Sequence, residues 1–134
     1  MYGDRRFVAP MDESVTFHSR DSAHGKHVYF YELQHRGLAS FGDLYNLSFG
    51  EHWISHGDDL QYLFNDLSYY PPLQRKDDLM VSKIMLTLWS NFAATGNPTP
   101  NQSLGFRWAP VNGSCLHYLG ITTSPNMQPY VRTH

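Results

Sequence analysis

Among the eight histidines of this 134-residue chain, His56 stands where an imidazole could carry a proton. It lies between Ser55 and Gly57, directly ahead of Asp58 and Asp59. A glycine after a histidine lets the backbone turn sharply and project the ring into open space, and a near-neutral pKa suits proton transfer. The same spacing fits a solvated loop histidine, so it leaves both readings open. His24-x-x-His27 and His52-x-x-x-His56, with Asp58 nearby, have spacings that zinc can use. The first pair flanks Gly25 without a third ligand, and the second precedes the adjoining helix. No metal site is expected. A nucleophile elbow, Gly-x-Ser-x-Gly, does not occur; Gly37-Leu38-Ala39-Ser40-Phe41-Gly42 has one residue too many before its serine. Neither a Gly-x-Gly-x-x-Gly loop, a Walker loop nor His-Glu-x-x-His is present, so no cofactor is expected.

The elements that must position His56 read as α/β. His27 to Leu33 is aromatic and β-branched between Gly25 and Gly37, with large apolar side chains on both faces, as in a strand covered on both sides. Asp58 to Phe64 reads as a short helix with the acidic pair in its first turn and Leu60, Leu63 and Phe64 on one face. A long helix is predicted from Lys76 to Thr95. Val81, Ile84, Met85, Leu88, Trp89 and Phe92 recur along it at three- and four-residue spacing, with Gly96 ending it and Pro98 blocking continuation. Such a stripe is core-facing rather than a cofactor box. Asp12 to Ser19 carries a weak helical pattern. Phe106-Arg107-Trp108 and Cys115 to Leu119, separated by Pro110-Val111-Asn112-Gly113, suggest a small hairpin, and residues 122–134 read as a frayed end.

Composition limits the partners. The formal charge is −2, from 10 Lys+Arg against 12 Asp+Glu, so there is no clustered positive excess for nucleic acid or an anionic membrane. No apolar run approaches the roughly 20 residues that cross a bilayer, and no apolar stretch follows the charged opening residues, so no signal peptide is expected. The single cysteine, Cys115, closes no disulfide within the chain and reads as a small buried hydrophobe or a thiol with a partner elsewhere. Three sequons, at Asn46, Asn101 and Asn112, exceed the one or so expected by chance and tilt towards the secretory pathway.

The run Ile54-Ser55-His56-Gly57-Asp58-Asp59-Leu60 resembles the catalytic-histidine segment of type-B carboxylesterases, the family of cholinesterases, insect juvenile hormone esterases and the non-enzymatic neuroligins. Other motifs agree in order: Asp4-x-x-Phe7-x-x-Pro10, Val28 to Leu33, Leu88 to Pro98 with its Thr-Gly-Asn-Pro ending, and Trp108-Ala109-Pro110. The resemblance implies the C-terminal part of an α/β-hydrolase: one core strand, the histidine loop, a short helix, a long helix and a small hairpin, incomplete over 1–134. His56 would be general base and acid, with Gly57 and Asp59 in support; nucleophile, triad acid and oxyanion hole would lie ahead of Met1. The implied substrate is a small-molecule carboxylic ester, and the parent would be secreted or in the endoplasmic reticulum lumen. Phe41, Tyr45, Phe49 and Trp53 could line a gorge. Taken alone, the chain is expected to lack parallel partners for its strand and a sheet for its long helix. A silent neuroligin-like binding protein is the alternative.

Overall fold

The computed structural model describes residues 8–20, 24–45, 53–64, 68–112 and 116–130. In chain order the elements are α1 (Ala9–Ser19), β1 (Tyr31–Leu33), a 3-10 turn (Phe41–Tyr45), α2 (Leu60–Leu63), α3 (Lys76–Thr95), β2 (His117–Ile121) and β3 (Asn126–Pro129).

The periodic stripe made α3 readable, and it forms over the expected span. Gly96 ends it at φ 73°, in the left-handed region that glycine enters without a Cβ penalty, and its N–H bonds Phe92 O at 2.8 Å. Val81, Met85 and Leu88 are completely buried; Ile84 and Trp89 are partly buried, while Phe92 is 48% exposed at the rim of the stripe.

The sheet differs from the expected one. β1 has a parallel partner within this chain: Tyr31, Glu32 and Leu33 stand opposite Leu119, Gly120 and Ile121 of β2. Hydrogen bonds from Leu119 N to Phe30 O at 2.8 Å and from Gln34 N to Ile121 O at 2.9 Å extend the pairing. Nor is the end of the chain frayed throughout. Asn126 to Pro129 pair antiparallel with β2, while residues 131–134 lie outside the described set. The hairpin is therefore β2–β3, not 106–108 with 115–119. Trp108 is instead a core side chain, its Nε1–H donating to Phe30 O at 3.1 Å.

Both faces of this small sheet are covered, with Tyr31 and Leu33 of β1 on one and Phe30, just ahead of β1, on the other. Tyr31, Leu33, Leu119, Ile121 and Met127 pack against Val81, Met85 and Leu88 of α3 together with Tyr62 and Trp108. Phe30, Tyr118 and Tyr130 pack with Val111 and with Met11 and Val15 of α1 on the other side. The long helix thus keeps a sheet to cover. Met85→Ala is expected to lower stability by about 3 kcal/mol, the usual cost of emptying a closed core site, read as a shift in urea midpoint.

α2 turns a different face inward from the one its sequence suggests. Gln61 and Tyr62 are buried, whereas Leu60 and Phe64 are 38% and 56% exposed. Four residues are too few for an apolar stripe to decide orientation. Polar anchors decide it instead: Gln61 Nε2 donates to Ala39 O and Asp58 O, each at 3.0 Å, and Ser82 Oγ donates to Tyr62 O at 2.7 Å.

Candidate active site

His56 sits on a turn over residues 56–59 that leads into α2, with its side chain exposed. Gly57 adopts φ 88°, a conformation that an L side chain resists. The chain can therefore reverse there and present the imidazole outward, and the site residue Gly57 has a backbone reason for its identity.

Asp58 holds the turn, and the sequence reading missed it. Its side chain is completely buried, and four donors converge on its carboxylate. Ser40 Oγ and Phe41 N each donate at 2.6 Å, Ser55 N at 2.8 Å and the Tyr70 hydroxyl at 3.1 Å. A buried carboxylate persists only where its lone pairs are satisfied, and here they tie three separate stretches of chain together. The Tyr70 hydroxyl also lies 3.1 Å from Gly57 O. Asp59 is partly buried and accepts a hydrogen bond from Tyr31 Oη at 2.9 Å, linking the turn to β1. No spacing rule separates two adjacent aspartates; only the fold, which brings Ser40 and Tyr70 over Asp58, does so.

The loop leaving β1 is braced in the same way. Arg36 Nη2 donates to Asp43 Oδ1 at 2.5 Å and Arg36 Nε donates to Trp53 O at 3.1 Å, while Ser40 N donates to Asp43 Oδ2 at 2.8 Å. Further along, His35 Nε2 lies 2.7 Å from Asp78 Oδ1. Asp78 is buried in the first turn of α3, where a carboxylate complements the helix dipole, and through His35 it also joins the β1 loop to α3. Phe41 packs edge-on against Tyr45 at 5.4 Å and Tyr69 at 6.0 Å between ring centroids. Trp53 is 61% exposed. Phe49, Asn46 and Cys115 lie outside the described residues, while Asn101 and Asn112 are exposed.

Three tyrosines around the turn are harder to ionise than usual. Burial is the main cause for Tyr31, Tyr62 and Tyr70, reinforced by the carboxylates of Asp59, of Asp78 and of Asp58 respectively. In the unfolded chain they ionise near the ordinary value of 10.0. Their raised pKa values therefore leave stability intact below pH 10 and erode it as the pH climbs above 10, because only the unfolded state then readily releases the protons. Urea midpoints at pH 8 and 9 should agree, and the midpoint at pH 11 should be lower. Tyr31→Phe should reduce that alkaline loss.

Comparison with known proteins agrees with the motif order. The carboxylesterase family model matches residues 1–134. Juvenile hormone esterase of Tribolium castaneum is 35% identical over 113 residues, covering 79% of this chain and 18% of its own length. Bile salt-activated lipase of Bos taurus is 32% identical over 115 residues, covering 75% of this chain and 19% of its own. Human neuroligin-2 is 26% identical over an alignment of 156 positions that takes in 100% of this chain and 17% of the relative. The chain thus spans less than a fifth of the length of these relatives. None of the described helices is long and apolar enough to cross a membrane. With its histidine turn, ordered motifs and a family match running from end to end, this chain belongs to the carboxylesterase family.

Proposed function

We propose that this chain is the C-terminal part of an α/β-hydrolase domain that hydrolyses carboxylic esters, and that His56 is its general base and acid. In this reading the imidazole takes the proton of a serine hydroxyl as that oxygen attacks the ester carbonyl, then returns it to the leaving alcohol. A carboxylate from sequence outside these 134 residues completes the triad, and backbone N–H groups from the same region stabilise the oxyanion. Asp58 fixes the turn that presents the imidazole, Gly57 permits its backbone path, and Asp59 ties it to β1. The observation that carries the reading is the exposed His56 on a turn pinned from below by one fully buried, fully bonded carboxylate. Evolution of such a costly polar anchor makes sense where the position of an exposed side chain matters. The substrate is a small-molecule ester, and the sequons at Asn46, Asn101 and Asn112 favour a secreted parent or one resident in the endoplasmic reticulum lumen.

Without a nucleophile the imidazole has nothing to deprotonate. The 134-residue chain incubated with a p-nitrophenyl ester should show no saturable hydrolysis. Saturable hydrolysis by the chain alone, abolished in His56→Ala, would refute this division of labour.

A second reading is favoured by one observation: neuroligin-2 aligns across the whole chain, whereas juvenile hormone esterase covers 79% of it. On that reading the domain is a catalytically silent binding module. A serine in Gly-x-Ser-x-Gly on the remaining sequence of the domain selects the enzyme, and its replacement selects the binding module.

A further inference from the structure

Beyond the end of α3 the chain forms a braced loop that presents one exposed asparagine. Pro98 and Thr99 are buried at its base. Asn91 Nδ2 donates to Pro98 O at 3.1 Å, Thr99 N to Asn97 Oδ1 at 3.0 Å and Trp108 N to Thr99 Oγ1 at 3.1 Å. Gly105 N donates to Gln102 O at 3.0 Å and closes the tip. On this base stand Asn101, Gln102 and Ser103, all exposed, the one sequon whose residues all lie within the described set. Neither Gln102 nor Leu104 is a proline, which would block the modification. Asn101 is held by its side-chain oxygen, which accepts from Ser103 N at 3.0 Å. Among the described residues its Nδ2 has no partner, so a group attached there displaces no hydrogen bond.

The loop also gives such a group a place to lie. A polar cleft of about 480 Å³ opens at Asn101, between Asn97, Gln102, Phe106 and Arg107. That volume exceeds the roughly 300 Å³ at which small-molecule sites begin. Phe106 is half-buried, packed on the core yet lining the cleft. The face of an aromatic ring is electron-rich and attracts groups that carry partial positive charge. A pyranose presents a face of polarised C–H bonds, and its hydroxyl and acetamido groups suit the amides of Asn97 and Gln102 and the guanidinium of Arg107.

We propose that Asn101 carries an N-linked oligosaccharide whose innermost N-acetylglucosamine lies in this cleft against Phe106. The donor is a polyprenyl-diphosphate-linked sugar. Asn101 Nδ2 bonds to its C1, the C1–O bond to the diphosphate breaks, the polyprenyl diphosphate leaves with the electron pair, and Nδ2 releases one proton to solvent. The fold keeps this modification away from the histidine turn. Asp78 and Ser82, which tie α3 to the β1 loop and to α2, lie in its first two turns. From Ser82 to Gly96 the helix axis rises by about 20 Å, so the glycan stands at the far end. The proposal rests on the reading of the parent as a protein of the secretory pathway, and not on the role of His56.

The test is expression of the 134-residue chain in mammalian cells behind an added, cleavable signal peptide, so that occupancy does not depend on where the parent resides. Peptide mass spectrometry should find Asn101 glycosylated. Ser103→Ala, which keeps the backbone N–H that holds Asn101, should abolish the modification, and Ser103→Thr should preserve it. On material that unfolds cooperatively in urea, peptide N-glycosidase should release the glycan at least tenfold more slowly from the native chain than from the denatured one. Phe106→Leu, which keeps an apolar contact with the core but removes the aromatic face, should erase most of that difference. An unmodified Asn101 would overturn the proposal, and so would equal release from native and denatured chain. Because the leader is supplied, either failure counts against this site and leaves secretion of the parent untouched.

Discussion

Replacing Asp58 by alanine is expected to cost this chain about 3–5 kcal/mol of stability, more than a typical core truncation of one side chain. The carboxylate is completely buried and receives four hydrogen bonds from Ser40, Phe41, Ser55 and Tyr70. Alanine leaves the partly buried N–H groups of Phe41 and Ser55 without their acceptor, and each such orphan costs about 1–3 kcal/mol before relaxation, while the Ser40 hydroxyl keeps only its 3.2 Å contact with Ser55 Oγ. Asp58→Asn preserves the shape but presents an amide nitrogen where donors already converge, so it too should be strongly destabilising. Asp59→Ala, by contrast, removes a single hydrogen bond from Tyr31 and should cost about 1 kcal/mol. Urea unfolding of the three variants checks the order. An Asp58→Ala midpoint equal to that of Asp59→Ala would show that the buried anchor is not what holds the turn.

His56→Ala is expected to leave stability within about 0.5 kcal/mol, since the side chain is exposed, and to abolish activity wherever the chain works within a complete domain. In Ser-His-acid hydrolases the base and the nucleophile act as a unit, so losing the base lowers kcat by roughly 10⁴-fold or more. Of the remaining histidines, His35 is paired with Asp78 away from the turn, and His24 and His27 lie on the exposed stretch before β1. His27→Ala should therefore leave turnover within about twofold. Parallel loss in His56→Ala and His27→Ala would point to a generic effect of histidine content.

What could be read in advance follows from where each signal lives. α3 was legible because its stripe, its glycine stop and the proline beyond are all local. The turn at His56 was legible as a place where an imidazole projects, because Gly57 marks it. β3 was not, since Asn126-Met127-Gln128-Pro129 lacks strand formers and contains a proline. Pairing with β2 makes it a strand, aided by a polar ladder in which Gln128 Nε2 donates to Gln34 Oε1 at 2.9 Å and the Tyr118 hydroxyl donates to Gln128 Oε1 at 2.9 Å. The parallel partner of β1 was hidden for a related reason. The turn-like Pro110 to Gly113 invited a local hairpin, whereas parallel pairing joins strands distant in sequence and leaves no short-range mark. The roles of Asp58 and Asp78 were hidden because both look like ordinary first-turn acids. Their burial is set by Ser40, Tyr70 and His35, which only the folded chain brings near.

The most direct test of the account is p-nitrophenyl ester hydrolysis by the purified complex of this chain with the complementary portion of Tribolium castaneum juvenile hormone esterase. The account expects neither part to turn over ester alone, the complex to do so with saturation, and His56→Ala to abolish it. Full activity of the complementary portion by itself, or undiminished activity of the complex carrying His56→Ala, would contradict it.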